Sequence, residues 1–219
     1  MSGSDIPRQI VGLIELTEGI MEAFNSIKNI SSLPEAFQET NNRLPLVEQT
    51  LQYAKSPAKK PKSAEDARAL QVVLYSFNEK AHKLLEIFQK IGKYSKDEYD
   101  SAVYRGIIIK QGKQRVETLM DGILEDLGIL VANKMFLEEL HRQIEPLAKA
   151  REELAAVSSS LADSDLADQP RAANQYGDKS RQYNLFGEGT QKIADGHYFE
   201  AQGNQNFGLF PPKESVKTM

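Results

Sequence analysis

The stretch "AEDARALQVVLYSFNEKAHKLLEIFQKI" at residues 64–91 decides the fold. Leu70, Val73, Leu74, Phe77, Ala81, Leu84, Phe88 and Ile91 recur in steps of three and four, which places them on one side of a long helix. A helix with one apolar side has to bury it against others, so the flanking sequence should supply partners. Upstream, "DIPRQIVGLIELTEGIMEAFNSI" at 5–27 puts Ile10, Leu13, Ile14, Thr17, Ile20, Met21, Phe24 and Ile27 on one stripe, with Asp5 as N-cap and Pro7 in the first turn. A second helix is expected from Leu33-Pro34, carrying Phe37, Leu44, Leu46, Val47, Leu51 and Ala54, with Pro45 kinking it or lowering its regularity. "KSPAKKPKS" at 55–63 reads as a linker. Downstream, helices are expected at Asp97–Lys110, at Lys113–Ala132 with Val116, Leu119, Met120, Ile123, Leu124 and Leu127 inward, and at Lys134 to about Val157. Gly92 and Gly112 are expected breaks. The pattern predicts an all-α bundle of about six helices over residues 1–158.

Near Pro170 the composition changes. Glycine, asparagine, glutamine and aromatic residues replace the helical periodicity, giving a linker at 159–174, a low-complexity motif at 175–210 and an extension at 211–219. "YNLFGEGTQKI" at 183–193 and "HYFEAQGNQNF" at 197–207 align at one offset, setting Gly189-Thr190-Gln191 over Gly203-Asn204-Gln205, Leu185 over Phe199 and Ile193 over Phe207. Two matched strands with amide side chains suit stacked cross-β arches, whereas the same composition also describes a disordered chain. The tail is therefore expected to be flexible or conditionally cross-β.

Composition excludes several function classes. The 219 residues include no cysteine, which removes disulfides, thiolate metal sites and thiol nucleophiles, and they carry a net charge of −4, against a dedicated nucleic-acid binder. Glu15, Glu18 and Glu22 interrupt the N-terminal segment, so it is not a signal peptide, and no stretch reaches membrane-spanning length. The expected location is the cytoplasm. His82, His141 and His197 are scattered and give no metal site. Gly112-Lys113 lacks the upstream glycine and the following Ser or Thr of a phosphate loop. Glu138-Glu139 reads as a solvated helix face. No catalytic residue, cofactor or metal ligand is assigned, and the chain is not expected to be an enzyme.

The first segment is both a core helix and a candidate for membrane contact. Its apolar face offers Ile10, Leu13, Ile14, Ile20, Met21 and Phe24, while Gly12, Gly19 and Ala23 are small enough for close helix contact. Glu15, Glu18 and Glu22 oppose attraction to anionic headgroups, so membrane action would require rearrangement or oligomerisation. Lys55, Lys59, Lys60 and Lys62 could meet such headgroups or simply solvate a loop.

"SSLPEAFQETNNRLPLVEQTLQYA" at 31–54, "EKAHKLLEIFQKI" at 79–91 and "VETLMDGILEDLGILVANK" at 116–134 resemble the SesA-type domain at the N-terminus of fungal NACHT and other P-loop NTPases. The likeness is most specific at Leu33-Pro34-Glu35-Ala36-Phe37 and Arg43-Leu44-Pro45-Leu46-Val47. It carries no catalytic residues. Related HeLo-type domains imply cell-death executors that permeabilise membranes through an N-terminal helix, which by position is Ile10 through Phe24. "RQYNLFGEGTQKIADGHYFEAQGNQNFG" at 181–208 is similar to the sigma motif, an amyloid signalling sequence that couples NOD-like receptors to effectors. Tyr183, Phe186, Gly187, Gly189, Gln191, Ile193, Gly203, Asn204, Gln205, Phe207 and Gly208 make up the candidate amyloid motif, from which Lys192, Asp195, His197 and Glu200 depart. The resemblance implies self-association through the tail, a receptor that shares the motif, and lipid on activation. With no NTPase following the helical domain, an effector is expected. The competing expectation is a non-lytic adaptor recruited by its tail.

Overall fold

Pro34 adopts an extended conformation and hands over to α2 at Glu35, ending the turn that follows α1. The computed structural model describes residues 6–57, 64–95 and 97–166, all within one unit spanning Met1–Gln169. The helices in chain order are α1 (Ile6–Asn25), α2 (Glu35–Ala54), α3 (Ala64–Tyr94), α4 (Ser101–Lys110), α5 (Val116–Ala132), α6 (Leu137–Leu140), a 3₁₀ turn (His141–Gln143), α7 (Ile144–Ala155) and α8 (Asp163–Leu166). The all-α bundle expected from the periodicity is the observed fold. Among the described residues the sole β-feature is an isolated parallel bridge, Ser31 to Glu98, which ties the α1–α2 loop to the α3–α4 loop. There the Ser31 N–H donates to the Asp97 carbonyl at 3.1 Å and the Tyr99 N–H donates to the Ser31 carbonyl at 2.9 Å.

α3 is the axis of the bundle, packed on α1 along one side and α5 along another, with α2 filling the space between α1 and α5 and α7 closing over α5 and α2. Its predicted stripe is the buried one: Leu70, Leu74, Phe77, Ala81, Leu84, Phe88 and Ile91 all lie in the core, and Val73 packs against it. The core also holds a run of rings. Phe24 of α1 meets Phe88 of α3 at 5.5 Å, Phe88 meets Phe37 of α2 at 5.9 Å, and Phe37 meets Tyr104 of α4 at 5.1 Å between centroids.

Several boundaries differ from expectation for physical reasons. Gly92 does not end α3; it lies inside the helix, where a Cβ would come within 3.0 Å of Ser26 Oγ and 3.1 Å of Ile27 Cγ2, so the glycine lets the turn after α1 press close on α3. Gly112 does end a helix: with φ at +92° it sits where L residues are strained, and the Lys113 N–H reaches back to the Ile108 carbonyl at 2.7 Å, the αL exit of a helix. α4 starts later than expected because Asp100 caps it, accepting from Ala102 N–H at 2.8 Å and Val103 N–H at 3.3 Å. The helix expected at Lys134 to Val157 is broken into α6, the 3₁₀ turn and α7. Pro146 explains the break, since it has no N–H to donate to an upstream carbonyl and is tolerated only in the first turn of a new helix, where it is found. α2 runs on through Pro45 to Ala54. Asp5, the expected cap of α1, lies outside the described residues, as do Lys59, Lys60 and Lys62.

Candidate functional site

One feature carries sequence-derived candidates, the buried face of α1; a second, a strap that follows α7, carries none of them. On α1, Ile6 and Ile10 are 0% exposed, Ile20 1%, Leu13 and Phe24 2%, and Ile14 5%, while Met21 is partly buried against the same core. All six candidate membrane residues therefore face the bundle interior or its edge. Thr17, the polar member of the stripe, is satisfied locally, donating from Oγ1 to the Leu13 carbonyl at 2.7 Å. The opposite side exposes Arg8, Gly12, Glu15, Glu18 and Glu22. Gly12 and Gly19 have open space where a Cβ would stand, so no described element uses them for close packing. α1 is held by α2 and α3 alone among the well-packed helices. With Phe24 on Phe88, and Ile27 against Gly92 at the α3 C-terminal end, α1 runs in the same direction as α3. The amyloid-motif residues, Tyr183 to Gly208, lie outside the described residues.

The strap begins where α7 ends. Ser160 is 6% and Leu161 7% exposed, docked at the corner between α4 and α5. Four groups there form a directed chain. The Val116 N–H donates to Tyr104 Oη at 3.0 Å, Tyr104 O–H pairs with Ser160 Oγ at 2.8 Å, and Ser160 Oγ–H donates to Glu117 Oε2 at 2.7 Å. The Ser160 N–H takes the second carboxylate oxygen of Glu117 at 3.1 Å. A carboxylate can only accept, so the serine hydroxyl must give its hydrogen to Glu117 and the tyrosine must donate to the serine. Burial pushes the Tyr104 phenol well above its ordinary range, which keeps it a donor. Farther along, Arg115 pairs with Asp163, and Arg105 Nε donates to the Asp165 carbonyl. Sequence reading missed this site because a lone Tyr, Ser and Glu on separate elements leave no spacing signal.

Other charged groups in the interior are structural. Lys80 Nζ reaches Asp126 Oδ2 at 2.6 Å and Ser76 Oγ at 2.6 Å, tying α3 to α5. Burial raises the Asp126 carboxyl above its ordinary value, and Lys80 offsets this only in part. Lys80 lies over Gly122, where a Cβ would stand 2.7 Å from Lys80 Cε. Arg43, 7% exposed, pairs with Glu39 and lies 3.5 Å from Glu153, at the floor of an open cleft of about 820 Å³ between α2 and α7. Among the described residues no group of three or more His, Asp or Glu side chains could hold a metal ion. No described helix is long and apolar enough to cross a membrane.

Residues 10–130, from α1 through most of α5, match one family model, SesA, described as the N-terminal domain on NACHT NTPases and P-loop NTPases. No curated protein and no solved structure matches the chain.

Proposed function

The chain belongs to the SesA family of N-terminal domains on NACHT and P-loop NTPases, and from that premise we propose a non-enzymatic cell-death effector, switched by amyloid templating of its tail and acting on membranes through α1. One observation carries the membrane part of this reading: α1 is amphipathic, lies at the edge of the bundle on α2 and α3, and holds its apolar side shut inside. Its 20 residues span about 30 Å, the thickness of a bilayer's hydrocarbon core. Arg8, Glu15, Glu18 and Glu22 oppose insertion of a single copy, so α1 would act in the interfacial plane or as one wall of an oligomer whose charges face water.

Energetics say when this could happen. Returning Ile6, Ile10, Leu13, Ile14, Ile20 and Phe24 to water costs about 2 kcal/mol each, of order 10 kcal/mol in all. That is comparable to the whole stability of a domain, about 5–15 kcal/mol, so resting α1 stays in place. A bilayer or neighbouring copies must take up the apolar face as it leaves the core. Tail assembly supplies neighbours by raising local concentration without any cofactor, and a NOD-like receptor sharing the tail motif would supply the seed.

The test is dye release from vesicles by the full chain, alone and seeded with fibrils of its own 181–208 peptide. Release that requires the seed supports the effector. Fibrils that assemble beside intact vesicles refute membrane action and leave a non-lytic adaptor recruited by its tail.

A further inference from the structure

We propose that residues 160–165 form a latch that holds α1 in place, acting through Tyr104 and the rings between them. This rests on the membrane reading for its purpose, but its geometry and its test do not. Going back along the chain from Pro170, where the composition changes, α8 and the strap are the first elements met, so a load on the tail reaches the strap first. The strap is held by few groups: the Ser160 hydroxyl and N–H on Glu117, the Tyr104 hydroxyl on Ser160, Leu161 in the core, Arg115 on Asp163 and Arg105 on the Asp165 carbonyl. Two of the anchors are exposed enough to yield early: the pair of Arg115 with Asp163, whose side chain is 96% exposed, and the exposed bond of Arg105 to the Asp165 carbonyl. The strap also lies beyond residues 10–130, the part of the chain that the family model covers.

Losing the strap has a specific internal consequence. With Ser160 gone, the Tyr104 hydroxyl, on a side chain 0% exposed, loses the acceptor for its hydrogen and keeps only the Val116 N–H as a partner. A buried donor without an acceptor is costly, so the ring has reason to turn toward water. Tyr104 packs edge-on against Phe37 at 5.1 Å, Phe37 stacks on Phe88 at 5.9 Å, and Phe88 meets Phe24 of α1 at 5.5 Å. Closely packed interiors do not yield continuously, and displacement of one ring in such a run opens space for the next. Phe24 is the end of that run, and Phe24 belongs to the face that membrane action needs.

Hydrogen exchange on the full chain tests the latch without any membrane. Ser160→Ala should speed exchange of the α1 amides by about tenfold, the factor that loss of one hydrogen bond to an ionised group allows, while the buried amides of α5 from Ile123 to Val131, remote from Val116 and Glu117, change by much less. Phe37→Leu should remove the extra effect of Ser160→Ala on α1, because it breaks the run of rings between them. Should Ser160→Ala fold poorly, Glu117→Gln keeps the shape of the side chain and weakens only its hold on Ser160, a milder release with the same selective effect on α1. Equal acceleration of α1 and α5, or no change in α1, overturns the latch. Selective loosening of α1 with vesicles left intact would refute membrane action and keep the latch; seeded leakage with α1 indifferent to the strap would do the reverse.

Discussion

Replacing Glu15, Glu18 and Glu22 by glutamine separates membrane action from folding, because all three are exposed on the side of α1 away from the core. On the folded bundle the effect should be slight and favourable. The glutamates follow one another at steps of three and four along one face, and each like-charge pair at such spacing costs about 0.2–0.5 kcal/mol, so the melting temperature should hold or rise a little. On an anionic bilayer the same change is large. A charge near such a surface is worth about 1 kcal/mol, so removing three repelled charges lowers the cost of bringing α1 to it by about 3 kcal/mol, about two orders of magnitude in partitioning. The assay is seeded dye release from phosphatidylserine-containing vesicles against neutral phosphatidylcholine vesicles, with a thermal melt of each variant. The triple variant should act at far lower concentration on anionic vesicles and change little on neutral ones. An equal response on both, with an unchanged melt, would refute the placement of α1 at the bilayer surface.

Two glycines of α5 should respond in opposite directions in urea unfolding. Gly128→Ala meets open space and should stabilise by about 1 kcal/mol, the ordinary helix-propensity gain, whereas Gly122→Ala displaces Lys80 from Asp126 and should lose about 1 kcal/mol or more once that gain is set against the lost charged hydrogen bond. Gly92→Ala pushes against Ser26 and Ile27 and should destabilise by about 1 kcal/mol in a thermal melt, overpacking exceeding propensity; a stabilised variant would mean that the turn after α1 does not press on α3 there. The raised pKa of Asp126 means the fold favours its protonated form, so its contribution is fullest below the unfolded carboxylate pKa and is lost as pH rises through the raised folded value. Urea midpoints of wild type and Asp126→Asn, taken between about pH 4 and pH 7, should therefore shift in favour of wild type on acidification; a shift the other way would show the Lys80 attraction outweighing burial.

Helix identity was legible because the signal is local. Leu70, Leu74, Phe77, Leu84 and Phe88 are spaced for one face, and burial along α3 needs nothing but that spacing. Boundaries failed where the deciding contact was distant in sequence or where a single residue was passed over. Nothing near Gly92 announces that Ser26 and Ile27 will press against it, so a glycine needed for close approach looks like a stop. Pro146 is legible in the sequence, since a proline has no N–H to donate inside a helix and so marks the first turn of a new one. The strap was not readable: Tyr104, Glu117 and Ser160 come from three elements, and only folding makes the serine the acceptor of one and the donor to the other.

The same limit applies to α1, and it locates the functional question. An apolar stripe is equally suited to a protein core and to a lipid interface, because both remove the same side chains from water, so Ile10, Leu13, Ile14, Ile20 and Phe24 cannot tell one use from the other. Substituting Asp for Leu13 and Ile14 would abolish membrane action and unfold the bundle for one reason, the burial of a charge, and would answer neither question alone. The discriminating residues are the ones the core does not use. Glu15, Glu18 and Glu22 face water in the bundle and would face headgroups or a pore lumen afterwards, and Ser160 controls whether the stripe is held without being part of it. Perturbing the polar face tests where α1 goes; perturbing the strap tests what keeps it from going.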